Sequence, residues 1–312
     1  MDFLQTVVLA LVQGVTEFLP ISSSGHLVLV PLLTPWADQG ILFDIALHVG
    51  TLFAVMGYFW RESFQLLGGT GRLFCGQVSH PQTQLVLKLA LATVPIVIFA
   101  LLVEGFVAAG ARSFLVLGIT SIVFGLLLGW ADMKAGSLGP RQLGAFLAIW
   151  WPRWLAPKLY RKVAESLLEA ARKAGPRPQE KTSLAELGFW QALVFGLFQA
   201  LAVIPGTSRS GMCMTAGRLL GFSRAGASRV ALVMAIPTIA LAGLYSLVST
   251  VETGLNWQED APTFALGVGL SFISALAVIH ILIKLVNKIS FWPFVIYRLA
   301  LGSMLLMLAF LN

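Results

Sequence analysis

Long apolar runs alternate with short polar segments along this chain, and six of the runs are long enough to cross a bilayer. A helix needs about 20 predominantly apolar residues to span the hydrocarbon core. The runs therefore predict six transmembrane helices in an all-α polytopic membrane protein. They cover approximately residues 41–60, 85–103, 113–131, 229–250, 263–286 and 291–311.

Two further apolar stretches, residues 3–30 and 189–220, are interrupted by polar residues, proline and glycine. In the first stretch, a helix from Phe3 to Thr16 would rise only about 20 Å, whereas the hydrocarbon core is about 30 Å thick. Pro20 then disfavours further helix because it lacks a backbone donor. Non-helical backbone is tolerated at membrane depth where protein buries it or where it lines a wet cavity. Each stretch is therefore predicted to form a re-entrant helix pair.

Composition and charge agree with a membrane protein. The chain is 57% hydrophobic and 11% charged, whereas soluble domains are about 25% charged. The net charge of +7 arises from basic residues concentrated in particular loops, so we interpret it as a sign of membrane orientation and expect no nucleic acid as a partner. The N-terminus lacks the features of a cleavable signal peptide. Cys75 and Cys213 have neither metal-site spacing nor a disulfide framework.

The basic loops predict how the chain is oriented. Segment 134–188 carries ten Lys/Arg and four Asp/Glu, which places it in the cytoplasm by the positive-inside rule. Within it, KLYRKVAESLLEAARKA (158–174) is typical of an amphipathic helix on anionic lipid, with docking of a partner as the alternative. The acidic segment VETGLNWQEDAP (251–262) and both termini then face the exterior or periplasm. The same topology places six further basic residues inside: Arg61, Arg72, Arg218, Arg224, Lys284 and Lys288.

A short internal repeat supports this topology. LVQGVTEFLPISSSG (11–25) and LFQALAVIPGTSRSG (197–211) align at a shift of 186 positions, from Leu11 to Leu197. Each copy precedes three spans, and an odd number of spans gives the copies opposite orientations. We therefore predict a single membrane domain, 1–312, built from inverted repeats 1–133 and 189–312 and joined by the cytoplasmic loop 134–188. Inverted repeats with broken helices build polar sites near the bilayer midplane.

Polar side chains concentrate in the first copy. Gln13 and Glu17 are four residues apart and so share a helix face. A carboxylate at membrane depth is costly unless it is paired, solvated or bound to a cation. Three serine hydroxyls before a helix can cap that helix and can also bind an anion, and the two roles are compatible. These and the neighbouring imidazole are Ser22, Ser23, Ser24 and His26.

The second copy adds Arg209, in PGTSRSG (205–211). A guanidinium grips phosphate through paired hydrogen bonds, and without a ligand it would pair with Glu17. The combination predicts cleavage of a phosphate ester where the two turns meet. Glu17 would hold a divalent cation, and a serine or His26 would supply the nucleophile or the proton transfer. Further along, Asp44 and His48 are interpreted as a wet helix end in preference to support for the site.

QGVTEFLPISSSGH (13–26) and PGTSRSG resemble the two signature motifs of the bacterial undecaprenyl-diphosphatases of the bacitracin-resistance type. The resemblance continues through FDIALHVGTLFAVMGYFW and LLGFSRAGASR and covers nearly the whole chain. Family members that have glutamate in place of Gln13 are thought to use it for the metal. The matching positions are Gln13, Glu17, Ser22, Ser23 and His26 in the first motif and Ser208 and Arg209 in the second.

The resemblance implies ten helices, six of them spanning and four in two re-entrant pairs, with a site open to the periplasmic side of the bacterial inner membrane. It implies hydrolysis of undecaprenyl diphosphate to undecaprenyl phosphate and inorganic phosphate, dependent on Mg²⁺ or Ca²⁺. This reaction recycles the lipid carrier for peptidoglycan synthesis and lowers bacitracin sensitivity.

We interpret the chain as a lipid diphosphate phosphatase in which Glu17 holds the metal, with Gln13 as an additional candidate ligand. Arg209 and Ser208 bind phosphate, and Ser23 and His26 share the nucleophilic and acid–base roles. The alternative is a transporter or flippase of polyprenyl phosphate lipids, since inverted re-entrant repeats also build transporters. The oligomeric state is left open, with a homodimer among the options. The remaining expected substrate contacts are Ser22, Ser24, Gly206, Thr207, Ser208 and Ser210.

Overall fold

The computed structural model describes residues 1–108, 113–134, 182–250 and 257–311. Within these ranges the regular elements are eleven α-helices and two 3-10 helices, Leu184–Glu186 and Leu201–Val203. The first half forms α1 (Phe3–Thr16), α2 (Ser23–Leu33), α3 (Gly40–Tyr58), α4 (Trp60–Phe74), α5 (Pro81–Ala108) and α6 (Phe114–Met133). The second half forms α7 (Phe189–Ala200), α8 (Arg209–Leu219), α9 (Arg224–Thr250), α10 (Trp257–Leu285) and α11 (Trp292–Leu311).

Six of these helices are long and apolar enough to cross a membrane, and each coincides with one predicted span. The chain is therefore a multi-pass membrane protein. The apolar segments are Gly40–Tyr58, Pro81–Val103, Phe114–Met133, Arg224–Ser246, Ala261–Leu285 and Trp292–Leu311.

The two interrupted apolar stretches both fold as a short helix, a loop and a second short helix. We call residues 17–22, between α1 and α2, the first loop, and residues 204–208, before α8, the second loop. Each loop ends in a serine with positive φ, 74° at Ser22 and 72° at Ser208. Each serine hydroxyl accepts a hydrogen bond from a backbone N–H in the following helix, that of Gly25 or Gly211. Since serine rarely adopts positive φ, the repeat is preserved in backbone conformation as well as in sequence.

Helices at matching positions in the two halves of the chain make matching contacts. Helix α1 packs on α10, and its counterpart α7 packs on α5, while α3 contacts α9 and α6 contacts α11. Close approach depends on small residues: a Cβ on Gly14 would lie 1.8 Å from Ser274 Oγ, and one on Gly196 would lie 2.5 Å from the carbonyl oxygen of Ala92. These contacts pack helices from the first half of the chain against helices from the second half.

Helix α4 is a difference from the ten helices that the resemblance implies, since eleven α-helices occur in the described ranges. It follows α3 directly and packs on α5. Trp60, Phe64 and Leu67 are exposed on it, and Arg61 and Arg72 supply charge. This pattern is typical of a helix lying in the membrane interface. With 15 residues, among them Arg61, Glu62 and Arg72, the helix is too short and too polar for a span, which is why hydropathy alone does not detect it. The amphipathic helix predicted at 158–174 lies outside the described residues.

Candidate functional site

A cavity of about 400 Å³ lies where the first loop, the second loop, α3 and α9 meet. Apolar side chains such as Leu27, Ile96 and Ile239 form part of its wall. Polar groups from both halves of the chain form the rest, so the cavity joins a charged centre to an apolar approach. The polar lining residues are Glu17, Ser22, Ser23, Ser24, Asp44, His48, Ser208, Arg209, Thr238 and Ser246.

An ion pair between the two motif copies lines this cavity. Arg209 Nη2 donates to Glu17 Oε1 at 2.8 Å, and the two side chains are 14% and 5% exposed. Glu17 follows α1 directly, and Arg209 begins α8, so the end of one short helix faces the start of another. The structure therefore brings together the carboxylate and the guanidinium that were predicted to meet.

The second oxygen of Glu17 has three polar neighbours. Ser23 Oγ donates to Oε2 at 2.6 Å, and Gln13 Nε2 donates to it at 3.0 Å. His48 Nε2 lies 3.5 Å from the same oxygen. Gln13 is fully buried on the face of α1 that leads to Glu17. An ionised carboxylate offers about four lone-pair positions, so Glu17 serves as the common acceptor of the site.

Three buried polar atoms close to this pair have no hydrogen-bond partner among the described residues. They are Gln13 Oε1, Thr207 Oγ1 and Arg209 Nη1. A buried polar atom without a partner costs about 1–3 kcal/mol, so such atoms at one site indicate a ligand. Of these atoms, the guanidinium N–H of Arg209 suits an anion in the cavity, and the amide oxygen of Gln13 suits a cation.

The serines of the two motifs have different roles: some cap a helix, and some line the cavity. Ser22 and Ser208 cap the helices that follow and also line the cavity, with their hydroxyls 3.3 Å and 3.2 Å from Ser24 Oγ and Ser210 Oγ respectively. Ser210 is turned toward the first loop instead, where it donates to the carbonyl oxygen of Leu19 at 2.8 Å. It therefore ties the two loops together and is not part of the cavity wall.

Gly206 and Thr207 shape the second loop. Gly206 has φ +84°, and a Cβ there would lie 2.2 Å from Thr120 Oγ1, so only glycine fits this close approach to α6. Neither residue is among those that line the cavity. Their contribution to the site is the fixed course of the backbone just before Arg209.

His26 faces away from the cavity. Its Nδ1 lies 2.6 Å from the carbonyl oxygen of Ser22, and its Nε2 lies 2.6 Å from Tyr297 Oη. The imidazole also stacks on the Tyr297 ring, with centroids 5.7 Å apart. The sequence alone favours a wet helix end for Asp44 and His48, but the structure places both in the cavity wall.

Arg298, on α11, is a site residue that sequence reasoning did not find. It is fully buried, and its side chain donates to five backbone carbonyl groups and to no carboxylate among the described residues. One acceptor is in the first loop, two are in the second loop and two are on α6. The acceptors are Pro20 (3.4 Å), Thr207 (2.9 Å), Gly206 (3.0 Å), Thr120 (3.2 Å) and Ser121 (3.2 Å).

Arg298 therefore holds both loops against α6 and fixes the distance between Glu17 and Arg209. A signal for it exists in the sequence, because a lone charge inside an apolar span is expensive and marks a functional position. Its partners are backbone atoms, however, and leave no pattern of their own. Around Glu17, no group of three or more His, Cys, Asp or Glu side chains suited to a metal occurs in the described part of the chain.

Comparison with known proteins identifies the same family that the two motifs resemble. The family model for the bacitracin resistance protein BacA matches residues 6–304. A protein of Jannaschia sp. (strain CCS1) is 39% identical over 99% of this chain and 100% of its own length. One of Saccharophagus degradans is 41% identical over 97% of both chains, and one of Hahella chejuensis is 39% identical over 98% of both. All three are named undecaprenyl-diphosphatase. The chain belongs to the BacA family of bacitracin resistance proteins.

Proposed function

We propose that this chain is an undecaprenyl-diphosphatase, which hydrolyses undecaprenyl diphosphate to undecaprenyl phosphate and inorganic phosphate. The activity recycles the lipid carrier for cell-wall synthesis and confers bacitracin resistance. The observation that carries the proposal is the Glu17–Arg209 pair, which joins the two motif copies inside a cavity with apolar walls. Full-length relatives with the same printed name support it. The comparisons give no support to a transporter or flippase.

Arg209 and the start of α8 form the phosphate-binding element. Arg209 holds Glu17 through Nη2 and keeps the buried Nη1 free for a phosphoryl oxygen. The hydroxyls of Ser208 and Ser24 face the same cavity. Helices α2 and α8 both begin there, and a helix N-terminus favours negative charge. The apolar wall suits a substrate whose diphosphate is attached to a hydrocarbon chain.

Ser23 is the nucleophile in this proposal. Its hydroxyl donates to Glu17 at 2.6 Å and lies in the cavity wall. A bond forms from Ser23 Oγ to the terminal phosphorus as the bridging P–O bond breaks, and the Ser23 proton passes to Glu17. Undecaprenyl phosphate leaves. Water then attacks the phosphoserine phosphorus, the Ser23 Oγ–P bond breaks, the proton held by Glu17 returns to Ser23 Oγ, and inorganic phosphate is released with the protons of the water. His26 holds the Ser22 carbonyl group and thereby positions the adjacent Ser23.

A divalent cation, Mg²⁺ or Ca²⁺, fits beside Glu17. Mg²⁺ is usually held by one or two carboxylates together with substrate phosphates, and Glu17 supplies one carboxylate. Gln13 stands where a glutamate would add a second, and its buried, unpartnered Oε1 is a free oxygen ligand. When bound, the cation would neutralise part of the diphosphate charge.

The two short helix pairs, α1–α2 and α7–α8, are proposed to be re-entrant hairpins of inverted repeats. Their short lengths and the polar loops between them support this arrangement. Arg72, in the last turn of α4, and Lys288, just after α10, are basic. By the positive-inside rule they support a cytoplasmic location for these helix ends, and so a cavity that opens toward the periplasm. The membrane is the bacterial inner membrane.

Phosphate release by the purified chain tests the function. In detergent with Mg²⁺, the chain is expected to release inorganic phosphate from undecaprenyl diphosphate with turnover. Glu17→Ala is expected to lower this rate by about 10³-fold, because it removes the shared acceptor of Ser23, Gln13 and Arg209. Colorimetric phosphate assays on both proteins provide the measurement. A wild-type rate no higher than that of Glu17→Ala would contradict the proposed function.

The attacking group is tested by trapping. Substrate labelled with ³²P at the terminal phosphate is expected to label the protein, and the label is expected to survive acid, as phosphoserine does. It should disappear in Ser23→Ala and persist in His26→Ala, since His26 is turned toward Tyr297. An acid-labile label that is lost in His26→Ala would show that His26, and not Ser23, is the nucleophile.

A further inference from the structure

His48 is a cavity residue that the proposed mechanism does not use. It lies on α3, one helical turn after Asp44, and comes from a part of the chain outside both motif copies. Its Nε2 is 3.5 Å from Glu17 Oε2. That separation is too long for a good hydrogen bond, so direct hydrogen bonding does not account for the contact.

The tautomer of His48 follows from its other ring nitrogen. Nδ1 lies 2.7 Å from the backbone carbonyl oxygen of Asp44. A carbonyl oxygen only accepts, so Nδ1 carries the hydrogen, and in the neutral ring Nε2 is left as an acceptor. This acceptor faces a carboxylate oxygen. Two lone pairs that face each other at a buried carboxylate are stabilised when a cation lies between them.

His26 provides a comparison within the same chain. Its Nδ1 is held in the same way, 2.6 Å from the carbonyl oxygen of Ser22. Its Nε2, however, lies 2.6 Å from the Tyr297 hydroxyl, which can donate a proton. In the described part of the chain, His48 Nε2 has no such donor within hydrogen-bonding distance. Of the two imidazoles, only His48 presents a ring nitrogen to the cavity.

We propose that His48 Nε2 is a ligand of the divalent cation of this site, together with the Glu17 carboxylate and Gln13 Oε1. The proposal rests on the proposed function, which needs a cation at Glu17. Metal–ligand bonds of about 2.1 Å allow two ligand atoms of one ion to lie up to about 4.2 Å apart, and the His48–Glu17 separation of 3.5 Å is within that limit. Donation of the other ring N–H to a backbone carbonyl group is the usual support of a metal-bound histidine.

The buried amide of Gln13 is an independent observation for the same ligand. Its Nε2 donates to Glu17, while its Oε1 is buried without a partner. A cation beside Glu17 gives that oxygen a partner and changes the site from one carboxylate to three protein ligands. The diphosphate would complete the coordination, as is common for cations that act on phosphates.

An imidazole ligand changes which cation the site prefers. Ca²⁺ and Mg²⁺ favour oxygen ligands, whereas transition metals accept imidazole nitrogen. A site with two oxygen ligands and one nitrogen ligand is therefore expected to bind Mn²⁺ more tightly than Ca²⁺. Replacing His48 by an oxygen ligand should reduce that preference.

The test is Mn²⁺ binding by the purified full-length chain, followed by electron paramagnetic resonance. Electron spin echo modulation of bound Mn²⁺ is expected to show coupling to ¹⁴N in the wild type and none in His48→Gln. Mn²⁺ affinity should fall by about tenfold or more in that variant. His280→Gln, the same substitution at an exposed histidine on α10, should retain both the affinity and the coupling.

Two further measurements keep the test decisive. Thermal unfolding checks that His48→Gln is folded, and His48→Asp is expected to keep Mn²⁺ binding while losing the nitrogen coupling. Coupling that persists in His48→Gln, or Mn²⁺ affinity that is unchanged there, would show His48 to be only an ion-pair partner of Glu17 and would overturn the proposal. Phosphate release by the wild type with Mg²⁺ is measured separately, so that result would leave the proposed function standing.

Discussion

Arg209→Lys is expected to lower kcat/KM for phosphate release by about 10²- to 10³-fold while the protein still inserts into the membrane. The guanidinium serves two partners at once, because Nη2 holds Glu17 while Nη1 is free for phosphate. A lysine has one compact ammonium group and cannot reproduce the planar fork. Losing a preorganised donor to a transferring phosphoryl group costs about 3–4 kcal/mol in the transition state.

A matched variant distinguishes this effect from a general loss of charge. Arg224 also pairs with a buried carboxylate, donating from Nε to Asp132 at 2.8 Å, but it lies outside the cavity. Arg224→Lys is expected to change kcat/KM by less than about threefold. Steady-state kinetics on both variants, with quantification of the membrane-inserted protein, provide the comparison. Unchanged turnover in Arg209→Lys would remove Arg209 from the phosphate-binding role.

Arg298→Lys is expected to lower both turnover and stability. Lysine has three donors on a single nitrogen, too few to reach the five carbonyl groups that Arg298 spans, so buried loop carbonyl groups lose a hydrogen bond. Each costs about 1–3 kcal/mol. The loops are then no longer held together, so kcat should fall by about 10²-fold through misplacement of Glu17 and Arg209. The KM should change much less, because the cavity wall remains.

Thermal unfolding and steady-state kinetics in the same detergent measure the two effects. Arg229→Lys is the control, since Arg229 pairs with Glu62 and its side chain is 45% exposed. It is expected to leave both properties nearly unchanged. An Arg298→Lys variant that unfolds at a lower temperature yet turns over at the wild-type rate would show that Arg298 supports the fold without setting the geometry of the site.

Most of the membrane architecture could be predicted because its cause is local. Six apolar segments have the length that a bilayer demands, and each is a helix in the structure. The breaks were predictable as well, since α1 ends at Thr16, before Pro20. Helix α4 escaped detection because it is only 15 residues long and mixes apolar with charged residues, so an average over the segment does not indicate a span.

The site could be predicted only as far as the motifs extend. Glu17 and Arg209 were identified because each stands among polar residues in a broken apolar stretch. His48 was not assigned to the site, since its relation to Glu17 depends on how α3 packs across α1. Arg298 was hidden for another reason: one charge hardly lowers the mean hydropathy of its span, which is 2.1. Tertiary packing determines both positions.

The burial of Arg298 has a consequence for biogenesis. An arginine in a helix that enters a bilayer alone is unfavourable by about 2.5–3.5 kcal/mol. All five of its acceptors belong to residues that precede α11, the last helix. They have therefore already been synthesised when α11 leaves the ribosome. Helix α11 can thus insert against helices that are already in place. Without α11, the first and second loops would lose the hydrogen bonds from Arg298 that hold them to α6.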